Sequence, residues 1–96
     1  MKVKTRVKLV IPKDRMKEAI PLLTELRKRI TDQPGYLLAE ILRKRDQPNA
    51  FLFLTTWQST QDWERWSGSE SRNAIVEKMH FFEESSIEIW DYGFIE

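Results

Sequence analysis

The stretch Phe51-Leu52-Phe53-Leu54-Thr55-Thr56-Trp57-Gln58-Ser59 decides how this chain folds. Phe51, Phe53, Thr55 and Trp57 fall on one side of an extended backbone, and Leu52, Leu54 and Thr56 on the other. Apolar groups on both sides describe a strand in the interior of a sheet, covered above and below. At Gln58-Ser59 the alternation stops, and Ser59 or Thr60 can cap a following helix by accepting from backbone N–H groups that have no intrahelical partner.

Upstream, Asp46-Gln47-Pro48-Asn49 reads as a turn and Tyr36 to Lys44 as a strand, so the short connection makes an antiparallel hairpin with the opening stretch. Before it, Thr31-Asp32-Gln33-Pro34-Gly35 terminates a helix that starts at Pro12 and Asp14, with Met16, Ala19, Ile20, Leu23, Leu26 and Ile30 as its apolar stripe. Pro21 lies inside that helix and removes a backbone hydrogen bond, which predicts a kink or local opening near Lys17 and Glu18. The first strand, Lys2 to Ile11, places Val3, Thr5, Val7, Leu9 and Ile11 on one face and Lys2, Lys4, Arg6 and Lys8 on the other. So basic a face calls for Glu88, or aromatic rings from the last strand, to lie across from it.

Downstream, a short helix from Gln61 to Trp66 carries Trp63 and Trp66 three apart on one side, and Ser67-Gly68-Ser69 breaks it. A second helical segment is expected to run to about Glu84 with Arg72, Ile75, Val76, Met79 and Phe82 as its stripe. The last strand is expected from Ile87 to Ile95, with Ile87 and Ile89 on one face and Glu88, Trp90, Tyr92 and Phe94 on the other. The resulting order, βαββαβ, folds with right-handed crossovers into a four-stranded antiparallel sheet with helices on one face, an α+β ferredoxin-like domain spanning residues 1–96. A homodimer that packs two helix-free faces together is the simplest cover for Trp90, Tyr92 and Phe94.

Composition narrows the function classes. With 41% hydrophobic residues in 96, the chain makes one core. Having no cysteine, it has no disulfide, no thiol nucleophile and no thiolate metal site, and no other cluster with metal-ligand spacing is present. The charged residues among Met1-Lys2-Val3-Lys4-Thr5-Arg6 do not suit a signal peptide, and no apolar run is long enough to span a membrane, so a cytoplasmic protein without membrane contact is expected. Residues 1–45 hold 13 Lys/Arg against 5 Asp/Glu, and residues 46–96 hold 3 against 10. Opposite blocks of this kind pair with each other more readily than they form a nucleic-acid footprint, so no nucleic-acid partner is expected.

The series Gln33-Pro34-Gly35-Tyr36, Asp46-Gln47-Pro48-Asn49, Thr56-Trp57-Gln58-Ser59 and then Trp63 resembles the antibiotic biosynthesis monooxygenase domain, a dimeric α+β barrel, over nearly the whole chain. The resemblance implies a pocket between helices and sheet, lined here by Val7, Phe53, Thr55, Trp57, Trp63 and Trp66. It also implies a small aromatic substrate, phenolic or quinol-type, oxygenated without a bound cofactor. His80 and Arg72 are the candidate catalytic groups, with Tyr36 and Glu40 the other polar residues to place. Trp57 also reads as a plain core anchor, and a dimeric binding protein with its pocket filled by Trp57, Trp63 and Trp66 is the competing class.

Two other readings remain. The haem-degrading branch of the family uses a strand-one asparagine, a helix tryptophan and a histidine ten residues beyond it. Trp66 matches the tryptophan, but Val7 and Val76 stand at the other two positions. RNA-recognition modules share the strand order and display strand-three aromatics, for which Phe51 and Phe53 alternate suitably, although the first strand carries Lys and Arg where a stacking aromatic belongs.

Overall fold

The computed structural model describes residues 1–79 and 83–91. Strand β1 (Val3–Val10) leads through a 3-10 turn at Lys13–Arg15 into helix α1 (Met16–Ile30), followed by the hairpin strands β2 (Tyr36–Lys44) and β3 (Gln47–Trp57). Two short helices, α2 (Thr60–Ser67) and α3 (Glu70–Val76), a 3-10 turn at Glu77–Met79 and strand β4 (Glu83–Asp91) complete the order. The sheet runs β2-β3-β1-β4 and every pairing is antiparallel, which is the expected ferredoxin-like arrangement.

The core lies between the helices and one sheet face. Val3, Thr5, Val7 and Leu9 of β1 share that face with Phe51, Phe53, Thr55 and Trp57 of β3, and all are buried. Ala19, Leu23, Leu26 and Ile30 of α1 pack down on them, with Trp63, Trp66, Ile75 and Met79 from the second half of the chain. Pro21 sits inside α1, yet the helix is continuous from Met16 to Ile30. Ile20, assigned to the apolar stripe, is exposed, because the buried side of α1 is set by the neighbouring Ala19 and Leu23.

Pairing moves three boundaries. The hairpin turn is Arg45-Asp46, not Asp46 to Asn49, because Lys44 pairs with Gln47 and the register then shifts to place Arg43 opposite Phe51. Pro48 and Asn49 fall in this irregularity, where a proline costs no ladder bond. Asn49 ties the segment to the end of the first strand, with its carbonyl accepting from Ile11 N (2.9 Å) and its Nδ2 donating to Ile11 O (2.8 Å). The second helical segment does not reach Glu84, and the last strand starts at Glu83 instead of Ile87, since Glu83 and Glu84 pair with Val10 and Leu9. Phe82 and residues 92–95, with Tyr92 and Phe94, lie outside the described residues.

In the β1–β4 register Arg6 is opposite Glu88 and Lys4 opposite Trp90, the positions expected beside the basic strand. On the helix-free face, β2 and β3 contribute Leu38, Glu40 and Leu42 beside Thr56, Leu54 and Leu52. Exposure of Leu38 (47%), Leu42 (45%) and Trp90 (59%) leaves this face strongly apolar at its two margins.

Candidate functional site

Two of the sequence landmarks meet in space. Gly35 has φ +80°, a left-handed conformation that favours glycine, and its carbonyl accepts from Gln58 N at 2.9 Å. A Cβ at Gly35 would run into the Asp62 side chain. Asp62 is held there by the start of α2: Ser59 Oγ accepts from Asp62 N (3.2 Å) and donates to Asp62 Oδ2 (2.9 Å), while Arg65 Nη1 donates to Oδ1 (3.1 Å). This capping pair fixes where α2 leaves β3 and so aims Trp63 and Trp66 at the sheet, where both are buried.

Above the sheet these rings border an apolar cavity of about 20 Å3. Its floor is Val7 and Leu9 of β1 with Phe53 of β3, and its walls are Leu26 of α1, Trp63 and Trp66 of α2, and Arg72, Val76 and Met79 of α3 and the turn after it. Arg72 is the one charged residue among the lining residues described. Its Nη1 also reaches Ser67 O at 3.4 Å, at the break between α2 and α3. A guanidinium stays cationic and presents several N–H donors, so at an apolar cavity it can stabilise an anion.

Of the eight expected site residues, Val7, Phe53, Trp63, Trp66 and Arg72 come together around this cavity. Thr55 and Trp57 stand beside it and outside its lining. Trp57 Nε1 donates to Thr55 Oγ1 at 2.7 Å, and Thr55 Oγ1 is paired with Thr5 Oγ1, so their polar atoms are used among themselves. Trp57 stacks edge-on against Tyr36 (6.2 Å, 81°) and tilted against Trp63 (6.3 Å), behind the cavity wall. Tyr36 is half-buried next to it. Glu40 lies on the opposite, helix-free face, paired with Leu54, because strand parity separates it from Ala39 and Ile41. His80 is outside the described residues.

Leu9, Leu26 and Met79 were legible as core positions, and only their convergence shows them to be lining residues. A larger hollow of about 340 Å3 opens on the helix-free face, between Arg6 and Lys8 of β1 and Leu42, Lys44 and Leu52 of the hairpin. It touches none of the expected site residues.

Phe51 and Phe53 are buried against the helices, so they cannot stack on bases at the open face as an RNA-recognition strand would require. Among the described residues no group of three or more His, Cys, Asp or Glu is placed to hold a metal ion, and no helix is long and apolar enough to cross a membrane.

Solved structures similar to this one share its fold at low sequence identity. A protein from Nitrosomonas europaea, provisionally named an antibiotic biosynthesis monooxygenase, superposes with a TM-score of 0.88 at 14% identity, covering 97% of this chain and 91% of its own. A similarly named protein from Deinococcus radiodurans gives 0.87 at 16% identity, covering 98% and 95%. SnoaB, a cofactor-independent oxygenase from Streptomyces nogalater, gives 0.79 at 15% identity, covering 94% and 91%. No curated protein sequence matches the chain. The sequence model of the antibiotic biosynthesis monooxygenase family matches residues 3–78, from the first strand through α3 and most of the cavity wall, and the chain belongs to that family.

Proposed function

We propose that the protein is a cofactor-independent monooxygenase of a small phenolic or quinol-type molecule, bound in the cavity between helices and sheet. The observation that carries this reading is the convergence of Arg72 on an apolar cavity walled by Trp63 and Trp66. Family membership supports the reaction class. The fold shared with SnoaB shows that an oxygenase without a cofactor can be built on this architecture.

The chemistry asks little of the protein. A deprotonated phenol or the enolate of an anthrone passes one electron to O2, and the radical pair combines to form a C–O–O bond. The hydroperoxide then loses water, so a CH2 carbon becomes C=O while one oxygen atom leaves in H2O; the substrate supplies all four electrons. Arg72 would stabilise the substrate anion, and Trp63, Trp66 and Phe53 would orient its ring and exclude water. His80, the residue after Met79, is the candidate base. At about 20 Å3 the cavity holds roughly one water and lies far below the roughly 300 Å3 of ordinary ligand pockets, so one wall must move for a ring to enter.

In this reading the unit is a homodimer that buries Leu38, Leu42 and Trp90 on the helix-free face, and it works in the cytoplasm. Oxygen uptake with a panel of hydroquinones and anthrones tests the activity: consumption by the folded protein supports it, and none across the panel sinks it.

Two readings compete. The small volume favours a dimeric binding protein whose cavity its own tryptophans fill. Haem suits the described lining poorly, since Val7 and Val76 present hydrocarbon where the haem-degrading branch has asparagine and histidine. A hemin titration that yields a shifted Soret band, lost in His80→Ala, would nevertheless establish haem binding.

A further inference from the structure

We infer that Arg29 latches the cavity shut, and that a ligand gains entry by displacement of α3 and not of the sheet, α1 or α2. The inference rests on the proposed use of this cavity as the ligand site. The walls are held very unequally. The floor strands β1 and β3 pair with each other, and each has a second neighbour in the sheet. Helix α1 buries Ala19, Leu23, Leu26 and Ile30; α2 buries two tryptophans and is pinned through Asp62. By contrast α3 has seven residues and buries Ile75, with Met79 in the turn beyond it.

Arg29 compensates for that thin packing. From the last turn of α1 its Nη1 donates to the Ser71 carbonyl at 2.9 Å, 42 residues away along the chain. Glu25, one turn earlier, accepts from Arg29 Nε at 3.2 Å and orients the guanidinium. Ser71 immediately precedes Arg72, so the latch holds the backbone next to the cavity's charged residue. The lining residues beyond it, Val76 and Met79, follow Arg72 at spacings of four and seven, which places all three on one side of this segment. Outward movement of α3 therefore withdraws the three together and leaves Phe53, Trp63 and Trp66 to receive a planar ring. Elements that bury few apolar groups are those that open locally most readily.

Acrylamide quenching of tryptophan fluorescence tests the latch without any substrate. Exposed Trp90 is first removed as Trp90→Phe, which leaves the buried Trp57, Trp63 and Trp66 as reporters. In that background Arg29→Met should raise the quenching constant about threefold or more with the circular dichroism spectrum retained, because losing a charge-assisted hydrogen bond multiplies an open population about tenfold. Arg29→Lys, which keeps a donor, should fall between. Gln33→Ala removes a different hydrogen bond from the same helix end, Nε2 to Arg29 O, and should leave quenching unchanged. An unchanged constant in Arg29→Met, or an equal rise in Gln33→Ala, overturns the latch. Should Arg29→Met fail to fold, Glu25→Gln replaces it; a smaller rise supports the latch and no rise overturns it. Absence of oxygen uptake would overturn the proposed activity and leave these quenching outcomes intact.

Discussion

The indole Nε1 of Trp57 donates to Oγ1 of Thr55 at 2.7 Å, two residues back on the same face of β3. Both residues are fully buried, and Thr55 Oγ1 is shared with Thr5 of the adjacent strand. An indole has one donor and no acceptor, so Trp57 has no hydrogen bond left to offer a ligand. Thr55→Val should leave that N–H buried and unpaired and lower unfolding stability by about 1–3 kcal/mol in a urea titration. An unchanged midpoint would mean the tryptophan finds another acceptor.

At Gly35, conformation and space act together. Alanine there must adopt φ near +80° and place its Cβ against Asp62. Gly35→Ala should therefore cost more than about 1 kcal/mol, since an L-residue in the left-handed region is already penalised by roughly that amount. Pairing it with Asp62→Ala should recover the steric part only. Full recovery in the double variant would show that the positive φ costs nothing here.

Turnover should depend on Arg72 through its charge. Arg72→Met should lower the rate of oxygen uptake by about 100-fold, the usual effect of removing a donor aimed at developing negative charge. Arg72→Lys should retain part of the rate, because an ammonium supplies charge without the planar fork. Equal rates in Arg72→Met and wild type would remove Arg72 from the reaction.

Assembly should depend on Trp90, which is 59% exposed on the helix-free face. Trp90→Glu should shift sedimentation toward the 11.5 kDa monomer at micromolar concentration while thermal unfolding changes little. A wild-type protein that already sediments as a monomer would remove the dimer, and a Trp90→Glu protein that remains dimeric would remove this face as its interface.

Much of the fold was legible because periodicity records which side of each element meets apolar surroundings. Val3 to Ile11 and Phe51 to Trp57 alternate faithfully, and their pairing delivers Val7 opposite Phe53. The same alternation assigned Trp90 and Glu88 to the basic side of β1. Where boundaries moved, the deciding contacts were remote. Gln47 became part of β3 because Lys44 was there to pair with it, and Glu83 became strand because Val10 was. Neither residue carries a local preference that says so.

For the candidate site, the chain order alone determined the residue types: tryptophans three apart on α2, a phenylalanine on the central strand, an arginine on the following helix. Their meeting around one cavity followed from strand parity and helix stripe. Tertiary structure alone decided that Trp57 and Thr55 satisfy each other, that Glu40 lies on the other face, and that the space between Trp66 and Phe53 is about 20 Å3. Composition and spacing specify which groups can approach one another; how closely they do so depends on the distance between packed layers, set jointly by every side chain in the core.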